Sequence, residues 1–102
     1  MKKPRRKPIH PYLIELGAEI KHLRKEKEFS LETLGSEIGI DASNLRKIEL
    51  GQNLTLYTLL KLCICLDIAP SKLLDNIDWD LNKDDLDSLT TPRPIKRKKL
   101  KR

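Results

Sequence analysis

Within five positions near the middle of the chain stand Ser43, Asn44, Arg46 and Lys47, which bring a hydroxyl, an amide, a guanidinium and an ammonium together. These groups donate hydrogen bonds and attract anions, but they are not a nucleophile with its base or a set of metal ligands. The histidines add little to that chemistry. His10 lies among prolines and basic residues, His22 falls on a charged helix face, and neither has a Ser or Cys partner at a telling spacing. Cys63 and Cys65, two positions apart in a helical pattern, project about 200° from one another. One helix cannot aim both at a metal or bridge them, so they read as small apolar packing residues of a reduced protein. With no phosphate-cradling glycine loop and no spaced metal cluster, no catalytic residue, metal ligand or cofactor is assigned. The chemistry is that of binding.

Two short helices must position the cluster. Ser30 is an N-cap residue type, and Leu31, Leu34 and Ile38 follow at helical spacing, so a helix should run to about Ile38 and end at Gly39. Asp41 can cap a second helix, in which Leu45 and Ile48 face inward while Ser43, Asn44, Arg46 and Lys47 face out. Two helices joined by a tight glycine turn make a helix-turn-helix, whose second helix can enter the DNA major groove.

The rest of the chain supplies a scaffold and two charged ends. At 102 residues it suits one small domain, and 4% aromatic residues with four glycines favour helices over a sheet. Residues 1–11 hold three of the six prolines among Lys and Arg and read as a flexible basic arm. From Tyr12 to about Lys27, Leu13, Leu16, Ile20 and Leu23 mark a first helix, and Phe29 precedes the Ser30 cap as a core plug. Thr55 can cap a fourth helix over residues 56–66, which is apolar nearly all round, and a second copy of the chain would cover its outer side. Pro70 opens a short fifth helix with Leu73, Leu74 and Ile77. The domain is thus expected over residues 12–77, followed by an acidic linker at 78–92 and a basic tail at 93–102. In that linker Trp79, Leu81, Leu86 and Leu89 can dock on the domain or form a short helix.

Net charge follows the same divisions: +5 over residues 1–8, −1 over 9–74, −5 over 75–92 and +7 over 93–102. A nearly neutral core between two basic arms suits attraction to a polyanion. The segment PIKRKKLKR in the tail is also the type of basic run that nuclear import uses. No stretch approaches a membrane span or a secretory h-region, and a cytoplasmic protein is expected.

The segments LRKEKEFSLETLGSEIGIDASNLRKIELG and LTLYTLLKLCICLDIAPSKLL, within residues 13–74, resemble the lambda-repressor-like helix-turn-helix domains of the Cro and xenobiotic-response-element type. The resemblance covers about three-fifths of the chain and implies an all-α, five-helix DNA-binding domain. By it, Arg24 and Glu49 take the places of a partly buried structural ion pair. Ser43, Asn44, Arg46 and Lys47 match positions that meet bases or phosphates. Asn can bond an adenine edge and Arg a guanine edge in bidentate fashion, and the Ala42 methyl can touch a thymine methyl. Two departures stand out. Leu31 replaces the Gln common after the cap, which removes a side-chain phosphate donor and leaves the free amides of the helix start. The loop after Gly51 lacks the proline frequent in relatives, and Gln52, Asn53 and Thr55 stand in as phosphate donors.

The function expected from this resemblance is a sequence-specific transcription regulator, a repressor acting as a homodimer on a pseudo-palindromic site in double-stranded DNA. The alternative is an antitoxin or restriction-modification controller that binds DNA together with a second protein. A third reading, an architectural binder indifferent to sequence, sits poorly with Ala42, Asn44 and Arg46.

Overall fold

The computed structural model describes residues 9–81 together with 83 and 86, so the expectations for the arm at 1–8, for Leu89 and for the tail at 93–102 lie outside the described residues. Five helices follow in order: α1 (Ile9–Glu26), α2 (Leu31–Ile38), α3 (Ala42–Glu49), α4 (Leu56–Leu66) and α5 (Pro70–Asp75). There is no strand among the described residues.

The first helix begins at Ile9, three residues before the start expected at Tyr12. Pro11 suggests an extended arm, yet a proline in the first helical turn lacks only an N–H that has no partner within the helix, so the helix accommodates it. At the other end Glu28 takes a left-handed conformation (φ 61°), which lets the Phe29 amide bond back to the Arg24 carbonyl at 3.1 Å. The chain then reverses into Ser30, whose hydroxyl accepts from the Thr33 amide at 2.9 Å and caps α2. Gly39, at φ 80°, ends α2 in the left-handed turn that glycine adopts without steric cost. The next residue seals the joint, its amide bonding the Gly35 carbonyl at 2.9 Å. Thr55 caps α4 as Ser30 caps α2, accepting from the Thr58 amide at 3.0 Å. Asp41 stands before α3 but forms no side-chain cap bond, unlike the role expected for it.

The core runs through all five helices. Leu34 and Ile38 of α2 meet Leu45 and Ile48 of α3, while Leu59, Leu62, Cys63 and Leu66 of α4 pack beneath them. Leu16 and Ile20 of α1 are buried as their spacing implies, but Leu13 is only half-buried. The first anchor of α1 is instead Tyr12, 2% exposed. The Trp79 ring lies over it with centroids 5.1 Å apart, so the start of the expected acidic linker is docked on the domain.

The tightest backbone approach joins α1 to the end of α3. A Cβ on Gly17 would collide with the Ile48 carbonyl oxygen and come within 2.6 Å of that of Glu49. Neither neighbour can yield without moving α3, because both are backbone. Gly17→Ala is therefore expected to cost about 1–3 kcal/mol of stability, the usual penalty for overfilling a packed site. Chemical denaturation of both proteins checks this, and an unchanged midpoint would show that α1 and α3 approach less closely than described.

Candidate nucleic-acid interface

An eight-residue helix such as α3 is too short to persist alone in water, so its orientation rests on what packs behind it. Leu45, fully buried, and Ile48 hold one face against the core. The helical period then turns Ser43, Asn44, Arg46 and Lys47 to solvent, with Ala42 half-exposed at the leading end. Two amides close the trailing end: Gly51 donates to the Ile48 carbonyl and Gln52 to the Lys47 carbonyl, each at 3.0 Å. Gly51 has φ 113° and lies so close to Ile14 of α1 that a Cβ would sit 2.6 Å from its Cγ1. Only glycine turns the chain here, and the turn leaves Gln52 and Asn53 exposed just beyond the polar face of α3.

Behind α3 sits a buried ion pair. Arg24 is 7% and Glu49 is 5% exposed. The guanidinium meets the carboxylate with two parallel bonds, Nε to Oε2 at 2.6 Å and Nη2 to Oε1 at 3.1 Å. A third donor, Nη1, reaches the Phe29 carbonyl at 2.8 Å. The planar fork of arginine fits this two-oxygen acceptor, a geometry that lysine lacks.

Other residues fall out differently from their sequence-based roles. The Thr55 hydroxyl is engaged in capping and donates to Thr58 Oγ1 at 3.1 Å, so it is not a free phosphate donor. Leu31 packs against the core, which accounts for an apolar side chain where relatives carry Gln. Two residues of α4 went unremarked in the sequence. Lys61 donates to the Ile38 carbonyl at 2.7 Å, placing a cation at the carboxyl end of α2, where the helix dipole favours it. Its ammonium also lies 4.6 Å from the centroid of the exposed Tyr57 ring. A lone Lys in an apolar helix was the only signal of this contact.

His22 pairs with Glu26 at 3.2 Å on the open surface of α1. Burial pushes both cysteine thiols above their usual range, and at Cys65 the nearby Glu37 carboxylate adds to the effect. They therefore stay protonated and weakly nucleophilic near neutral pH. No group of metal-ligating side chains occurs, and no helix is long and apolar enough to cross a membrane, among the described residues.

A buttressed short helix with a polar, basic outer face, joined by a tight turn to the helix before it, defines a helix-turn-helix DNA-binding domain. The family model described as "Helix-turn-helix" matches residues 20–73. The chain belongs to this family, the lambda-repressor/Cro-like helix-turn-helix proteins, and is a DNA-binding transcription regulator. Among solved structures it is similar to the restriction-modification controller protein C.AhdI from Aeromonas hydrophila. The two share 37% identity with a TM-score of 0.60, over 63% of this chain and 94% of that one. No curated protein matches the chain.

The ion pair makes a sharp prediction about stability. Glu49→Gln alone should cost about 3–5 kcal/mol, because it strands a buried guanidinium, whereas replacing Arg24 and Glu49 together by Met should cost clearly less. Denaturant unfolding of the three proteins checks this, and a double variant that loses as much as Glu49→Gln or more would show that a stranded guanidinium is not what the single change costs.

Proposed function

We propose that α3 enters the major groove of a specific duplex and that the protein represses transcription from it. One observation carries this reading: Ser43, Asn44, Arg46 and Lys47 share the exposed face of a helix whose opposite face is anchored by Leu45 and Ile48. Asn44 and Arg46 have the bidentate geometry to read adenine and guanine edges, Ala42 suits a thymine methyl, and Ser43 and Lys47 suit bases or phosphates. Gln52 and Asn53 extend the contact to the backbone. The basic residues of 1–8 and 93–102 add salt-dependent attraction that is blind to sequence. On this reading the protein works without catalysis, in the cytoplasm.

The same reading makes the protein a homodimer. The outer side of α4 exposes Leu56, Tyr57, Leu60 and Ile64, the last at 78%. Beside it an open, mostly apolar groove is lined by Leu60, Cys63, Ile64, Ile68, Ala69 and Pro70, with Asp67 as its one charged residue. An apolar face of this extent on so small a domain suits a second copy, which would set the two α3 helices on half-sites roughly 34–36 Å apart. Ile64→Lys is then expected to convert dimers to monomers in light scattering at micromolar concentration. A wild-type protein that is already monomeric there would remove this assembly.

A second reading is favoured by the likeness to C.AhdI, a restriction-modification controller. In that case DNA binding is shared with a protein partner, and a second polypeptide should co-purify with the chain from its native source.

Selection of bound duplexes from a random pool tests the main proposal and yields the site and its symmetry. Asn44→Ala or Arg46→Ala should weaken the selected duplex by about 1–3 kcal/mol and leave random DNA unaffected. Removing residues 93–102 should weaken both and flatten the salt dependence. Equal effects of the two kinds of change on both duplexes would refute base readout.

A further inference from the structure

The segment after α5 is tied to α1, at its start and again at Glu19, by contacts that the family match, residues 20–73, does not include. Ile77 is buried in the core, and Asn76 donates from Nδ2 to Glu19 Oε2 at 2.9 Å. The Trp79 indole donates from Nε1 to the Leu74 carbonyl at 2.8 Å, which fixes its ring over Tyr12. The Asp80 amide donates to the Tyr12 hydroxyl at 3.0 Å.

The first turn of α1 needs such support. It contains no acidic residue that would favour the positive end of the helix. The same stretch of α1 is also the bed for the carboxyl end of α3. Ile14 lies under Gly51, and Gly17 lies against the carbonyls of Ile48 and Glu49. Tyr12, Ile14 and Gly17 thus follow one another along about a turn and a half of helix, held by the strap at one end and touching α3 and its following loop at the other.

We infer that Trp79 and Tyr12 are positioning residues for DNA recognition, acting through α1 on the end of α3 and on the loop that carries Gln52 and Asn53. The inference rests on the proposed major-groove role of α3, but its structural half can be read without DNA. The strap adds no contact to the duplex. It keeps the first turns of α1 wound, and through Ile14 and Gly17 it limits the angles α3 can adopt. A reading helix held more loosely loses affinity for its own site more than for random duplex, because base-edge bonds need closer placement than charge attraction does.

The test compares Trp79→Ala, Trp79→Phe and Tyr12→Phe in the full chain. Hydrogen exchange on the DNA-free proteins reads the Gly51 and Gln52 amides against those of Leu34, in the first turn of α2, and Ile40, which closes that helix. In Trp79→Ala the first pair should lose about tenfold or more in protection relative to the second, since the opening is local. At temperatures well below melting, affinity for the duplex selected from the random pool should fall about tenfold with random-duplex affinity little changed. Trp79→Phe, which restores a ring over Tyr12, should recover most of both. Should Trp79→Ala fail to fold, Tyr12→Phe, which removes the acceptor for Asp80 and keeps the ring, should show the same differential at smaller amplitude. A uniform loss of protection at all four amides, or none at Gly51 and Gln52, overturns the inference, as does a parallel fall in both affinities. If the pool yields no preferred duplex while the exchange differential stands, the groove-reading proposal fails and the mechanical coupling survives.

Discussion

The structure depends on a buried charge pair that must be matched to be tolerated. Taking Arg24 and Glu49 out of water costs several kcal/mol for each ion, and the two parallel bonds of the guanidinium to the carboxylate offset that only when both groups are in register. The third bond, to the Phe29 carbonyl, adds the α1–α2 link to the same lock. Three separate pieces of chain, the end of α1, the entry to α2 and the end of α3, are thereby brought to one point. An alternative packing that slid α3 by a turn would leave a charge stranded, so the pair contributes more to which packing is adopted than to how stable it is.

That lock acts together with the glycines around it. Gly17 lets the backbone of α3 approach α1 to a distance that no side chain would allow, and Gly51 turns the chain over Ile14 directly after α3. At the other end of α3, Gly35 lies so near the Ile40 carbonyl, 2.7 Å from where its Cβ would stand, that α2 and the turn form one closed unit. The helix that faces outward is therefore held at its front by the turn, along its side by Leu45 and Ile48, and at its rear by the ion pair. Its exposed residues gain their arrangement from these constraints and not from helix propensity, which for eight residues is insufficient.

Much of this was legible in the sequence because the signals are local. Leu34, Ile38, Leu45 and Ile48 recur at the helical period, Ser30 and Thr55 cap as their side chains allow, and Gly39 marks the one position between α2 and α3 where a left-handed residue is needed. What escaped depends on contacts that the helical period does not reveal. Tyr12 reads only as the first residue of a helix until Trp79, sixty-seven residues later, is seen to cover it. The Thr55 hydroxyl looks like a free donor until Thr58 takes it, and Asp41 looks like a cap although its side chain makes no such bond. Lys61 stands out as the lone charge of its own helix, but nothing in that helix says that it closes the end of another. The ion pair stands between these cases: Arg24 and Glu49, twenty-five residues apart, were joined by family resemblance, since no periodicity connects them.

The division of labour between α3 and α4 has a physical logic of its own. Base reading calls for a few polar groups on a rigid mount, and α3 offers them while contributing only Leu45, Ile48 and Glu49 to the interior. The fourth helix is the reverse, with an inner face that fills the core and an outer face left apolar around Leu60 and Ile64. If that outer face meets its own copy, apolar packing sets the spacing between half-sites while hydrogen bonds set the letters within each. The two kinds of specificity would then respond differently to salt, because burial of Ile64 is nearly indifferent to ionic strength whereas the attraction of Arg46 and Lys47 for phosphate is not. A near-neutral domain with its surplus charge confined to the ends of the chain is consistent with such an arrangement: in the proposed reading, long-range attraction would sit at the termini, and discrimination would rest on the small, rigidly held face between Ala42 and Asn53.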